Sequence, residues 1–248
     1  MNGMMIGTLF RFRNLDNTLP IARDSLHIDI TTDSNKLHRP YVVFYSDDKV
    51  YYLSVKTLKK ENEASVYRNQ DTNVILLNKT VYNQPIKGKA IGNVIDCSVI
   101  NVMDRELFEQ LFEKDSFKNN YQLAPWIYDE VMNKLYENKD NLIVHQLKAF
   151  DFENNKTLWY ETTKSNDKQN STDNNKWLVR AKKVITTVIE TYHSISRDEI
   201  EKRLNNQDEY VKFVSPIYYN ELEYVYNSFE IDDKWEEYQK SNSNKHKM

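Results

Sequence analysis

Three polar residues stand at the ends of a segment that the sequence predicts to be a β-hairpin. Residues 40–45 and 50–55 are rich in Val, Tyr and Phe, which favour strands, and residues 46–49 form a short polar connection typical of a turn. Arg39 precedes the first strand, and Ser54 and Lys56 close the second. Because the start of one antiparallel strand lies beside the end of the next, we expect a guanidinium, a hydroxyl and an ammonium group at one rim. Such a group of side chains suits a phosphate.

This trio has the cationic and hydrogen-bonding residue types that RNA cleavage without a metal requires, but no general base is obvious. The 2'-hydroxyl of the RNA attacks the adjacent phosphorus, and cations must hold the negative charge that develops. Arg39 can bind two phosphate oxygens at once, Ser54 can donate a hydrogen bond to them, and Lys56 can stabilise charge or protonate the leaving 5'-oxygen. Histidine titrates near neutral pH and so suits the base, but His38 alternates with Arg39 and its direction is open. The alternative interpretation is that Arg39 closes a surface loop and Lys56 is a solvated strand residue.

A second group of basic residues follows the hairpin. Residues 59–73 are polar without an apolar period, which predicts a long loop, and Lys59, Lys60 and Arg68 lie in it beside a tyrosine. Phosphate contacts combined with base stacking are the usual means of holding single-stranded RNA. These three basic residues and His38 are therefore the predicted RNA-binding residues. Acidic residues in the same segment dilute the charge, and a solvated loop is the alternative.

The order of several short motifs resembles the MazF/PemK-like and ToxN-like toxin endoribonucleases of toxin–antitoxin systems. The run RPYVVF from Arg39, followed by the hairpin and by Ser54, is similar to the core of that family. Ser54 with Lys56 resembles the Thr/Ser and nearby Lys of the ToxN type. Residues 7–10 resemble the Gly-led first strand of the family, and residues 92–104 resemble the strand before its C-terminal helix.

This resemblance implies a fold, an activity and partners. The fold is a small SH3-like barrel, and the resemblance places the arginine of the family at Arg39 and its Thr/Ser at Ser54. The implied activity is cleavage of single-stranded RNA to cyclic-phosphate ends, and the implied partners are the RNA substrate and a protein or RNA antitoxin. The resemblance covers residues 5–115 at most, so residues 116–248 have no counterpart in it.

Composition and charge restrict the alternatives. With 248 residues and a formal net charge of −3, the chain has no overall electrostatic signature of nucleic-acid binding, so RNA contacts must come from a local patch. The single cysteine excludes an intramolecular disulfide, and the five histidines lack metal-ligand spacing. We therefore expect neither a metal nor another cofactor. The sequence shows no charged-then-apolar leader and no apolar run of about 18 residues, which predicts a cytoplasmic protein without a membrane partner.

The apolar period changes near Asp104, from strand-like runs before it to helical spacing after it. This change predicts a helix from Arg105 to about residue 113, a second helix opened by Pro125 and a third over residues 177–192. Residues 142–152 fit either a strand or a short helix. Residues 162–176 contain no large apolar side chain, which predicts a flexible loop.

We therefore predict an α+β protein, with an N-terminal SH3-like β-barrel and its closing helix at residues 1–115 and a mainly helical extension at residues 116–248. The leading functional prediction is a metal-independent endoribonuclease toxin of a toxin–antitoxin system. The rival is a non-catalytic barrel-plus-helix module that binds a protein or RNA partner. The sequence leaves open the cleavage motif, the type of antitoxin and whether the protein forms a homo-oligomer.

Overall fold

The computed structural model describes residues 7–11, 20–30, 39–46, 48–78, 81, 86, 88–114, 121–151, 153–154, 156–160, 173–196 and 198. Within these residues the protein combines a large, open, mostly antiparallel sheet with four α-helices. The strands are β1 (Thr8–Phe10), β2 (Tyr41–Ser46), β3 (Lys49–Lys59), β4 (Asn73–Leu77), β5 (Ala90–Asp96), β6 (Val99–Asp104), β7 (Tyr121–Gln122), β8 (Ile143–Asp151) and β9 (Lys156–Trp159). The helices are α1 (Lys60–Arg68), α2 (Arg105–Lys114), α3 (Pro125–Glu137) and α4 (Asp173–His193).

The long strand β3 is the centre of the sheet because it pairs with three other strands. β2 lies along one side of it, with Tyr41 opposite Ser54. On the other side, residues 49–52 pair with β6 and residues 55–59 pair with β5, so β3 changes partner near Ser54. The main path of the sheet runs β7-β1-β2-β3-β6-β8-β9, and β4 joins it through β5. Only the β6–β8 pair is parallel among these described strands.

The two faces of β3 have different coverings because side chains alternate along a strand. Its odd-numbered residues, such as Leu53 and Val55, belong to an apolar core that includes side chains of α3 and α4. We call this side of the sheet the back face. The even-numbered residues of β3 lie on the opposite side, which we call the front face.

The front face has two separate apolar clusters. At one end of β3, Val50 and Tyr52 pack with apolar residues of segment 20–30 and of α2. At the other end, Leu58 packs with residues of α1 and β5. The two even-numbered positions of β3 between these clusters are polar, Ser54 and Lys56. The fold therefore leaves a polar strip between two apolar clusters on one face of the sheet.

Several elements confirm the sequence-based predictions. β2 and β3 form the predicted hairpin, and β6 ends at Asp104, where the apolar period changes. Helices α2 and α3 begin at Arg105 and Pro125, as expected. The buried residues of α3 follow helical spacing, which is why this pattern was readable: Ile127, Tyr128, Val131, Met132 and Leu135.

The prediction of a long loop over residues 59–73 is wrong, because α1 occupies most of this segment. The helix buries Val66 alone, so its apolar pattern is too short to show a helical period. Local hydrogen bonds support its start: Asn62 Oδ1 accepts from Lys59 N at 2.8 Å, and Asn62 Nδ2 donates to the Thr57 carbonyl at 3.0 Å. The packing of Val66 against Leu58 supplies the tertiary contact.

After residue 115 the described residues form strands as well as helices. β8 adds to the sheet beside β6, β9 pairs with β8, and the short β7 pairs with β1. The sheet therefore includes strands from both sides of residue 115. Helix α4 begins at Asp173, before the predicted start at residue 177, so residues 173–176 of the predicted flexible loop are helical. Residues 162–172 lie outside the described part of the chain.

The described strands form an open sheet, and they do not show the closed barrel that the resemblance implies. β7 and β9 stand at the two ends of the main path, and no pairing joins them among the described residues. None of the described helices is long and apolar enough to cross a membrane.

Candidate active site

The backbone brings the positions of Arg39, Ser54 and Lys56 together at the front face. Tyr41 lies opposite Ser54, and the Val55 amide donates to the Pro40 carbonyl at 3.0 Å, which continues the ladder beyond the last paired residue. Extending this register by two residues places Arg39 beside Lys56. Since residues two apart share a face, Arg39, Ser54 and Lys56 lie on the same face of the sheet. We call the surface formed by these three positions the rim.

Arg39 lies two residues before the start of β2. Its side chain is half-buried, and no hydrogen bond joins it to another described residue. Burial raises the pKa of Tyr41 well above the ordinary value for a tyrosine, and the nearby positive charge of Arg39 opposes that rise. The guanidinium therefore lies close enough to Tyr41 for its charge to affect the pKa of the phenol. Its N–H groups make no hydrogen bond with the described residues.

Ser54 is buried in the sheet at the point where β3 changes partner from β6 to β5. The residue is 4% exposed. Its hydroxyl makes no hydrogen bond with the described residues. This hydroxyl can therefore donate a hydrogen bond to a ligand oxygen.

Lys56 forms an ion pair with Asp96 of β5. Its Nζ lies 2.5 Å from Asp96 Oδ2, and the two side chains are 36% and 11% exposed. The other oxygen of this carboxylate, Oδ1, accepts hydrogen bonds from Ser98 Oγ at 2.6 Å and from Ser98 N at 3.1 Å. The carboxylate is therefore held on one side by the serine and holds the lysine on the other.

The charge of Asp96 is stable at neutral pH. Burial acts to raise the pKa of this carboxyl, but the positive charge of Lys56 and the hydrogen bonds from Lys56 and Ser98 outweigh it and lower the pKa below the ordinary value. An aspartate with a lowered pKa is a poor proton acceptor. Arg39, Lys56 and Asp96 together leave one positive charge in excess, which favours an anion.

Asp96 and Ser98 were not among the site residues predicted from the sequence. The pattern Asp-x-Ser is a local signal for a carboxylate that bonds its own chain two residues on. The partner of the carboxylate is a lysine 40 residues away in sequence, and only the pairing of β3 with β5 brings the two together.

Two of the predicted RNA-binding residues, Lys60 and Arg68, lie on α1, and Lys59 is the last residue of β3, which leads directly into this helix. The side chains of Lys59, Lys60 and Arg68 are exposed, and Tyr67 is 38% exposed. Positions 60, 67 and 68 share one stripe of the helix, since residues seven and eight apart lie two turns away on the same side. His38 lies outside the described residues.

A histidine pair occupies another part of the front face. Nε2 of the buried His145 donates to the Asp24 carbonyl at 3.0 Å, and the rings of His27 and His145 are 5.0 Å apart. Mainly through burial, the pKa of His145 is lowered to about 4, so this ring is neutral at pH 7. The Asn101 side chain also bonds the backbone of Arg23, at 2.8 and 3.3 Å. These contacts attach segment 20–30 to the sheet, so His145 and Asn101 stabilise the fold.

The described residues contain no group of three or more His, Cys, Asp or Glu side chains arranged to hold a metal ion. Comparison of the chain with protein-family models, curated proteins and solved structures gives no match.

Proposed function

We propose that this protein is a metal-independent endoribonuclease toxin of a toxin–antitoxin system, and that the rim of Arg39, Ser54 and Lys56 cleaves single-stranded RNA. The observation that carries the proposal is the pairing of Tyr41 with Ser54, because this register puts a guanidinium, a hydroxyl and an ammonium group on one face of the sheet. The excess of one positive charge and the unpartnered Ser54 hydroxyl suit a phosphodiester.

The proposed reaction is an internal transfer that consumes no water. The 2'-oxygen of the RNA forms a bond to the adjacent phosphorus, and the bond from phosphorus to the 5'-oxygen breaks, which leaves a 2',3'-cyclic phosphate and a 5'-hydroxyl. Arg39 binds the two non-bridging oxygens, and Ser54 donates a hydrogen bond to one of them. Lys56 gives a proton to the leaving oxygen, and His38, next to Arg39 in sequence, is the proposed acceptor of the 2'-hydroxyl proton.

The exposed stripe of α1 provides the proposed path for the RNA strand away from the cleaved bond. Lys60 and Arg68 can contact phosphates, and Tyr67 between them can stack on a base. Lys59, at the junction of β3 and α1, would contact the phosphate nearest to the rim. This arrangement holds single strands with little dependence on sequence, since every base has a face that can stack.

The proposal also includes the finer fold and the partners that the family resemblance implies. The strands β1, β2, β3, β5 and β6 would correspond to the SH3-like core of the toxin family, with α2 as its closing helix. The implied partner is an antitoxin, either protein or RNA, and the proposed place of action is the cytoplasm. A homo-oligomer is compatible with the proposal and is not required by it.

A second candidate function is supported by the ion pair of Lys56 with Asp96. A lysine that is already paired with a carboxylate offers less net charge to a transition state, and the same rim could hold RNA or an acidic protein segment without cleaving it. In that case the chain is a non-catalytic binding module, and Arg39 is its main contact.

Expression of the wild-type chain in a bacterial host separates the two functions. The endoribonuclease arrests growth, and its purified form cleaves a labelled single-stranded RNA in the presence of EDTA, with cyclic phosphate at the new 3' ends. A binding module leaves growth and RNA intact but retards the same RNA in a mobility-shift assay. Cleavage that EDTA abolishes would contradict the metal-independent mechanism.

A further inference from the structure

The two carboxylate oxygens of Asp96 have different partners, and this division has a mechanical consequence. Oδ1 receives both hydrogen bonds from Ser98, and Oδ2 lies 2.5 Å from Lys56 Nζ. Because the bonds from Ser98 come from its amide and its hydroxyl, they fix the plane and the direction of the carboxylate. The oxygen that faces Lys56 is therefore presented at a defined place.

The pairing of β5 with its neighbours places Asp96 diagonally from Lys56. Lys56 lies opposite Val94 in β5, and Asp96 follows two residues later on the same face, so the lysine and the carboxylate are diagonal neighbours. On the other side of β5, Asp96 pairs with Asn73 of β4. A lysine side chain has four flexible carbons and loses its preferred place readily, whereas this carboxylate is fixed by strand pairing and by a turn.

We infer that Asp96 is a positioning residue that holds the Lys56 ammonium group at the rim beside Arg39 and Ser54, and that Ser98 orients Asp96 for this task. The inference rests on the proposed function of the rim. Asp96 touches no reacting atom in this scheme and acts through Lys56 alone. Asp96 fixes the Lys56 ammonium group before RNA binds, which reduces the entropy cost of positioning this group in the transition state.

A second ion pair on β3 provides a matched comparison. Lys49 Nζ lies 2.6 Å from Asp104 Oδ1, so this pair also joins a lysine of β3 to an aspartate at the end of a neighbouring strand. Lys49 is odd-numbered and lies on the back face, away from the rim. The Asp104 side chain is 41% exposed, compared with 11% for Asp96. Removing the Asp104 charge therefore changes a similar pair without touching the front face.

A double-mutant cycle tests the inference. Asp96→Asn keeps the shape of the side chain and removes the charge, and we expect it to slow RNA cleavage about tenfold to a hundredfold, mainly in kcat. In a Lys56→Met background the same change should alter the rate by less than about twofold, because its only route of action is already absent. Ser98→Ala should cost about fivefold, which corresponds to one lost hydrogen bond, and only when Lys56 is present. Asp104→Asn should stay within about twofold of the wild type.

Equal losses from Asp96→Asn in both backgrounds would overturn the inference, because a purely structural role acts whether or not Lys56 is present. Circular dichroism checks each fold, and Ser98→Ala, which keeps both charges, carries the test if Asp96→Asn does not fold.

The same cycle is measured on binding of a 2'-O-methyl oligoribonucleotide, which the protein cannot cleave. A wild type that binds this probe but cleaves no RNA overturns the proposed function, and coupling of Asp96 to Lys56 in binding then still supports the positioning role. A wild type that does neither overturns both.

Discussion

Tyr41 and Ser54 lie opposite each other across β2 and β3, and this pairing fixes the place of every other residue at the rim. A shift of the register of β3 by one residue would turn Ser54 and Lys56 to the back face, into the apolar core with α3 and α4. The apolar neighbours of β3 on both faces exclude that shift. The position of the candidate site is therefore determined by the packing of residues that take no part in its chemistry.

Replacing Arg39 by alanine should abolish growth arrest and leave the fold intact. Loss of a charge-assisted hydrogen bond to a transition-state oxygen costs about 3 kcal/mol, or roughly a hundredfold in rate. The measurement is cleavage of a labelled RNA, with circular dichroism to verify folding. Lys148→Ala removes an exposed positive charge from β8 and is the matched control. Full activity of a folded Arg39→Ala protein would refute the site.

Replacing Ser54 by alanine should separate activity from stability. The residue is 4% exposed and its hydroxyl makes no hydrogen bond with the described residues, so its removal should change the free energy of unfolding by less than about 1 kcal/mol. Cleavage should fall about tenfold, since the phosphate loses one hydrogen-bond donor. Urea unfolding and the cleavage assay are measured on the same samples. A variant that loses stability but keeps activity would assign Ser54 to the core and not to the site.

The stripe of α1 should contribute to RNA affinity through two distinguishable terms. Lys60→Ala and Arg68→Ala should each weaken binding and reduce the slope of log affinity against log salt by about 0.7, the value for one phosphate contact with a single strand. Tyr67→Ala should cost about 1–3 kcal/mol of affinity through lost stacking, with the salt slope unchanged. Filter binding over a series of salt concentrations measures both quantities. Affinities that none of the three changes would place the RNA on another surface.

The stability of the protein should fall between pH 6.5 and pH 4 through His145. The pKa of this histidine is lowered from 6.5 to about 4 in the fold, mainly by burial, so the unfolded chain binds a proton in this interval and the folded protein does not. The free energy of unfolding therefore decreases as the pH falls, by up to about 3 kcal/mol over the interval. Urea unfolding at several pH values measures this change, and His145→Asn should flatten it. An unchanged pH dependence in that variant would show that other groups cause the loss.

The local pattern of the sequence determined the elements whose apolar residues repeat over several turns or strands. The hairpin of β2 and β3, the change from strands to helices at Asp104, and the starts of α2 and α3 were all readable in this way. The closeness of Arg39 to Ser54 and Lys56 followed from the hairpin alone, although β3 continues to Lys59 and not to residue 55 as predicted. Each of these predictions uses residues that are close together in sequence, where the geometry of the chain leaves few alternatives.

Only the tertiary structure decided the contacts between distant segments. Helix α1 has a single buried side chain and becomes a helix because Val66 packs on Leu58. β8 enters the sheet beside β6, in a part of the chain where the sequence fitted a strand or a helix equally well. The partner of Lys56 was hidden for the same reason, because a carboxylate 40 residues away reaches it through the pairing of β3 with β5. Strand partners over such separations depend on the packing of the whole core, which no local pattern of residue types contains.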